Sequence, residues 1–155
     1  MAIGDYQFIL FPSGNVPKIS EEEIEFTGQY KFNFRQAKKV LEGLPNVKND
    51  PTLKAWNTFD DECYFLFYDG RNKVEIELNT GTAAQEAEEI SIRTYIFRDE
   101  GSVLDAIRIS QVLCDSLELK CWNIKLREVI NFHNASNVAT TIKHYNQLRN
   151  KTLSC

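Results

Sequence analysis

The runs Cys63-Tyr64-Phe65-Leu66-Phe67-Tyr68, Lys73-Val74-Glu75-Ile76-Glu77-Leu78 and Ile90-Ser91-Ile92-Arg93-Thr94-Tyr95-Ile96-Phe97 decide the fold. In the second run, Val74, Ile76 and Leu78 alternate with Glu75 and Glu77. In the third, Ile90, Ile92, Thr94 and Ile96 alternate with Ser91, Arg93, Tyr95 and Phe97. A period of two in β-branched and aromatic residues indicates half-buried strands. The first run is apolar on both faces, as expected of a strand covered on both sides. Asp69-Gly70 between the first two runs can supply a positive φ for a tight reversal. The stretch is therefore expected to form three consecutive antiparallel strands.

Alternation has a consequence for the opposite face. If the valine and isoleucines enter the core, Tyr64, Tyr68, Glu75, Glu77, Arg93 and Tyr95 fall together on the other side. Glu75 or Glu77 paired across the strands with Arg93 would be ordinary sheet chemistry, worth about 0.2–1 kcal/mol per pair. Left open to water, the same six residues would make a recognition face, since tyrosine and arginine are favoured anchors. They are the expected partner-binding residues.

Working outward, residues 6–11 read as a first strand ended by Pro12-Ser13-Gly14. Residues 16–19, with Pro17, read as a loop; either Ser20 caps a short turn carrying Glu21, Glu22 and Glu23, or Ile24-Glu25-Phe26 forms a short extra strand. Asn33 is the expected N-cap of a helix over 34–42, whose Phe34, Ala37, Val40 and Leu41 form one apolar stripe. Residues 52–59 suggest a short helix over one sheet face, and 79–89 a mobile loop or single helical turn. Ser102-x-x-Asp105 resembles a capping box and opens the most apolar helix. Residues 119–126 alternate as a last strand, extended by 128–130, and a final helix covers 137–149.

The sequence thus predicts one α+β domain over residues 1–155, with a mostly antiparallel sheet of about five strands and three helices. The element order resembles the ferredoxin-like βαββαβ arrangement with additions. That resemblance concerns order alone, and fold does not fix function.

At 155 residues, 43% apolar and 26% charged, the composition is that of a globular protein. No apolar run approaches the ~20 residues of a membrane span, and no basic–apolar leader opens the chain, so a cytoplasmic protein without a membrane role is expected. Cys63, Cys114, Cys121 and Cys155 show no CxxC spacing and read as reduced thiols. The net charge of −4 is uneven: residues 119–155 hold six basic residues against Glu128, or +5, leaving −9 for the rest. The acidic body argues against nucleic acid.

GxGxxG, GxxxxGK[ST], GxSxG and HExxH are all missing. Asp60, Asp61 and Glu62 lack calcium-loop spacing, and no cofactor or metal is expected. His133 and His144 could meet Cys121 or Cys114 only through the fold. The reading leans away from an enzyme and towards a small acidic module that binds a basic protein. In character it is similar to bacterial immunity proteins, which implies an inhibitor that neutralises its partner. The competing reading is a small-molecule site or enzyme pocket between the sheet and residues 52–59. Homodimerisation through a sheet edge or the final helix is compatible with the first.

Overall fold

The computed structural model describes residues 5–21, 23–49, 61–79, 86–96 and 100–153. Along the chain run β1 (Asp5–Pro12), β2 (Val16–Ile19), β3 (Ile24–Thr27), β4 (Phe32–Asn33), α1 (Phe34–Glu42) and β5 (Val47–Lys48). Next come β6 (Tyr64–Tyr68), β7 (Lys73–Asn79), β8 (Glu86–Ala87) and β9 (Glu89–Tyr95). The chain continues through α2 (Glu100–Leu117), β10 (Leu119–Asn123), β11 (Glu128–Ile130) and α3 (Ala135–Leu153). The main sheet has seven strands in the order β11-β10-β1-β9-β7-β6-β5, and every pairing is antiparallel. β2 with β3, and β4 with β8, form two small sheets of their own. The class is α+β as expected. The sheet exceeds the expected five strands, and the short intervening strands keep the ferredoxin-like order from being assigned.

The three expected strands are β6, β7 and β9, in register: Phe65 faces Ile76, and Ile76 faces Ile92. Their apolar side joins Phe8, Leu10, Phe67, Val74, Leu78, Ile90 and Cys121 in one core, closed by all three helices. α2 lies across β1, β7, β9 and β10, with α1 and α3 beside it. The strong stripe of α2, including Val103, Ala106, Ile109 and Leu113, explains its central place. α1 spans the expected residues, with the Asn33 side chain accepting from the Gln36 N–H and Gly43 at its end. α3 starts after Asn134, whose side chain accepts from the Asn137 N–H. Its Tyr145 is fully buried, meets Tyr6 edge-on and donates to the Tyr95 carbonyl.

Three local expectations are corrected. Residues 16–19 are a strand paired with 24–27, because Pro17 sits in a two-stranded ribbon whose outer edge needs no donor. Ser102 lies inside α2, buried, donating to Asn72 Oδ1 at 3.3 Å instead of capping the helix. β10 stops at Asn123 because that side chain accepts from the N–H groups of Lys125 and Leu126, which turns the chain. The expected helix at 52–59 lies outside the described residues, as do 80–85 of the polar connection. Among the described residues no helix is long and apolar enough to cross a membrane.

The β2–β3 ribbon sits on the sheet face away from the helices. Phe26 stacks on Phe11 at 4.2 Å between ring centroids and meets Trp122 edge-on at 6.4 Å. Its base is held by buried Asn15, whose amide donates to the Tyr30 carbonyl at 3.0 Å and accepts from the Tyr30 N–H at 3.2 Å. Gly28 has φ +149°, and a Cβ there would run into that amide. Asn15→Ala leaves both Tyr30 backbone groups without this partner. It should cost about 1–3 kcal/mol in urea unfolding and make the ribbon the first site of limited proteolysis; unchanged stability and cleavage would contradict the clamp.

Candidate functional site

The helix-free face of the sheet carries two groupings of interest. The first lies at its centre, on β6, β7 and β9. Glu75 stands opposite Arg93 and beside Leu66, and Glu77 stands opposite Tyr64. Glu75 Oε2 accepts from Arg93 at 2.8 Å and from the Tyr64 hydroxyl at 3.3 Å, and its other oxygen accepts from the Tyr95 hydroxyl. Arg93 also reaches Glu77 Oε1 at 3.6 Å. Next along the face, Gln7 Nε2 donates to Ser91 Oγ at 2.7 Å.

Burial sets the electrostatics. Tyr64 is 0%, Glu75 2% and Glu77 5% exposed. Desolvation raises the Tyr64 hydroxyl well above its ordinary value, and the Glu75 charge adds to the rise. The same causes push Tyr95 up to about 12. Burial alone would lower the Arg93 guanidinium, but its hydrogen bond to Glu75, with the charges of Glu75 and Glu77, holds it above its usual value. Both tyrosines therefore stay protonated as donors. A carboxylate that accepts from two hydroxyls and a guanidinium is occupied by its own neighbours. The arrangement resembles a structural ion cluster more than a proton-transfer site.

The six expected contact residues are thus only partly where a partner could meet them. Cross-strand pairing brings Glu75, Glu77, Arg93, Tyr64 and Tyr95 together, as the alternation requires. The expectation of a water-facing surface is corrected for Tyr64, Glu75 and Glu77, which are buried. The Arg93 side chain is 11% exposed and Tyr95 is partly buried, whereas Tyr68 is exposed with its hydroxyl on the Gly70 carbonyl at 3.3 Å.

The other reactive side chains are similarly engaged. Burial pushes the Cys114 thiol up to about 12 and the Cys121 thiol well above its usual value, away from the thiolate a nucleophile needs. His133 lies at the surface, 3.4 Å from Asp115, whereas Cys121 is buried, so that pairing does not form. His144 Nδ1 lies 2.8 Å from the Tyr6 hydroxyl, which accepts from Asn123 Nδ2 at 2.9 Å. Asp60 and the side chain of Asp61 lie outside the described residues.

The second grouping was not foreseen. A wedge of about 100 Å³ opens between the β2–β3 ribbon and the β10–β11 turn, lined by Ile19, Glu23, Ile24, Trp122, Ile124 and Arg127. Trp122 forms a buried floor, while Ile19 is 49% exposed at the mouth. Arg127 adopts φ 56°, a left-handed conformation that glycine or asparagine takes more cheaply. From there its guanidinium donates to the Ser20 carbonyl at 3.2 Å, tying the turn to the ribbon. The missed signal was the mirrored alternation of Val16-Pro17-Lys18-Ile19 and Ile24-Glu25-Phe26-Thr27 about a four-residue turn.

Comparison of the chain with protein-family models, curated proteins and solved structures found no match.

Two outcomes follow from this geometry. Arg93→Ala removes the cationic partner of buried Glu75 and the Arg93 contact of Glu77, and should cost about 3–5 kcal/mol in urea unfolding, whereas Tyr68→Ala should stay within about 0.5 kcal/mol; equal small effects would contradict the ion cluster. His144 is held below its usual 6.5 by burial first and by Lys125 second, against Glu128. The stability it confers as a neutral acceptor is complete above 6.5 and is lost as pH falls from there through the lower folded value. Thermal midpoints across that range should fall less in His144→Gln than in wild type; parallel curves would contradict the assignment.

Proposed function

We propose that this chain is a protein-binding module that docks on a basic partner through the β2–β3 ribbon end of its sheet. One observation carries the reading. Three of the exposed large apolar side chains among the described residues, Val16 (61%), Ile19 (49%) and Tyr30 (63%), belong to the ribbon and the residues just after it. Exposed large apolar groups concentrated on one short ribbon favour contact there, with Ile19 at the wedge and Val16 on the opposite face of its strand. The Asn15 clamp and the Phe11–Phe26 stack hold the ribbon in one conformation, so binding need not order it, which favours affinity. Glu21, Glu23 and Glu25 are exposed on the same ribbon, and the chain is acidic overall; both favour attraction of a basic surface. An inhibitor that neutralises its partner is one form of this activity.

Tyr68 is a second, separate exposed anchor at the β6 end of the sheet. Arg93 and Tyr95 would contribute there only at their margins. The competing small-molecule pocket beside residues 52–59 falls outside the described residues. Nothing in the wedge favours it either: small-molecule sites usually run to ~300–1,000 Å³, against about 100 Å³ here.

The test is affinity capture with the full chain, followed by reconstitution from the purified captured protein. A Val16→Ser/Tyr30→Ser double variant should weaken the complex at least about tenfold through lost apolar burial, and raising the salt should weaken it further. A complex indifferent to both the double variant and salt would overturn the reading.

A further inference from the structure

We infer that the wedge between the ribbon and the β10–β11 turn receives one aliphatic side chain of a partner segment whose neighbouring residues are lysine or arginine. This rests on the protein-binding reading and names what the site recognises.

Size comes first. An apolar cavity of ~150 Å³ holds benzene and otherwise stays dry. At about 100 Å³ the wedge suits a smaller group, of the isobutyl or isopropyl class. Its walls match that chemistry: Ile19, Ile24 and Ile124 surround the buried Trp122 ring. A single side chain seated in such a pocket is the usual form of an interface anchor.

Charge selects the flanks. Glu23 lines the mouth, and Glu21 and Glu25 are exposed on the same ribbon. On the ribbon only Lys18, across from Glu25 in the register, stands against them; the turn across the wedge carries Lys125 and Arg127 with Glu128. The Arg127 guanidinium already lies on the Ser20 carbonyl, which spends part of its hydrogen-bonding capacity within the chain. On the ribbon side of the mouth the carboxylates outnumber Lys18, so that side faces a partner's cations while the apolar anchor enters the wedge.

Arg127 supplies a second line of argument. Its left-handed backbone at φ 56° is unfavourable for a residue with a side chain, and glycine would relieve it. An arginine at this position supplies the guanidinium bridge that ties the turn to the ribbon across the wedge. The same conformation closes the β10–β11 turn, through the Arg127 N–H on the Asn123 carbonyl at 2.8 Å.

The experiment titrates the isotope-labelled full chain with acetyl-Lys-Leu-Lys-amide and reads amide and indole shifts. Shifts should concentrate at Ile19, Ile24, Ile124 and the Trp122 indole. The leucine-to-alanine peptide should bind about tenfold more weakly, as partial loss of buried methylenes dictates, and acetyl-Glu-Leu-Glu-amide should bind more weakly than the lysine peptide. Ile19→Ser, at a half-exposed position, should lose most of the response. Arg127→Gly should keep the fold, read by its unshifted core amides, and still weaken binding. Equal binding of the alanine peptide, or an equal response to free leucinamide, would overturn the inference. If the peptides fail but the Val16→Ser/Tyr30→Ser variant still abolishes partner binding, the aliphatic anchor is wrong and the ribbon surface stands.

Discussion

Arg93 is the counter-charge that lets two carboxylates lie almost dry on one face of a seven-stranded sheet. The constraint is geometric. β7 must send Val74, Ile76 and Leu78 to the helices, so Glu75 and Glu77 go to the other side whatever covers them. Taking a carboxylate out of water costs several kcal/mol unless charge and hydrogen bonds are supplied. The β7–β9 register supplies both, by setting Arg93 opposite Glu75 and bringing the Tyr64 and Tyr95 hydroxyls onto the same carboxylate. A slip of one residue would put the acids in the core and the isoleucines outside. The cluster thus enforces the register as much as it stabilises the sheet.

That constraint also divides the face. Its centre is occupied by groups that satisfy one another. Its β10 end is apolar, with Phe11, Trp122 and Val129 on the sheet and Phe26 stacked on Phe11 and edge-on to Trp122. The ribbon covers only part of this end, and what it leaves is the wedge. The helical face is uniform by contrast, because α1, α2 and α3 bring enough apolar surface to close it. A third polar device links the two sides: Asn123 turns the chain after β10, donates to Tyr6, and through Tyr6 reaches His144 on α3.

Much of this was legible in the sequence. Strict alternation at 74–78 and 90–96 fixed those strands and their faces, and Asn33 with Gly43 bounded α1. Exposure was not legible. Tyr64 and Glu75 look like surface residues beside Arg93, and only the sum of neighbouring strands and covering segments decides whether water reaches them. The pairing of Glu75 with Arg93 was among the expected arrangements, yet it proved to be what removes those residues from the surface. A strand at 24–26 is among the readings of the sequence, but its partner at 16–19 is hidden because Pro17 reads as a loop signal, although an edge strand accepts proline without losing a bond. The wedge depends on Ile19 and Trp122 meeting across about a hundred residues, and no local pattern announces such a meeting.

The division of the face into a sealed centre and an open ribbon end is most directly tested by hydroxyl-radical footprinting of the native chain, read at its six tyrosines by mass spectrometry. Tyr30 and Tyr68 should oxidise quickly, while Tyr6, Tyr64 and Tyr145 stay protected until the protein unfolds. Oxidation of Tyr64 at the rate of Tyr68 in the folded protein would contradict the account, for it would mean that water reaches the Glu75–Arg93 cluster.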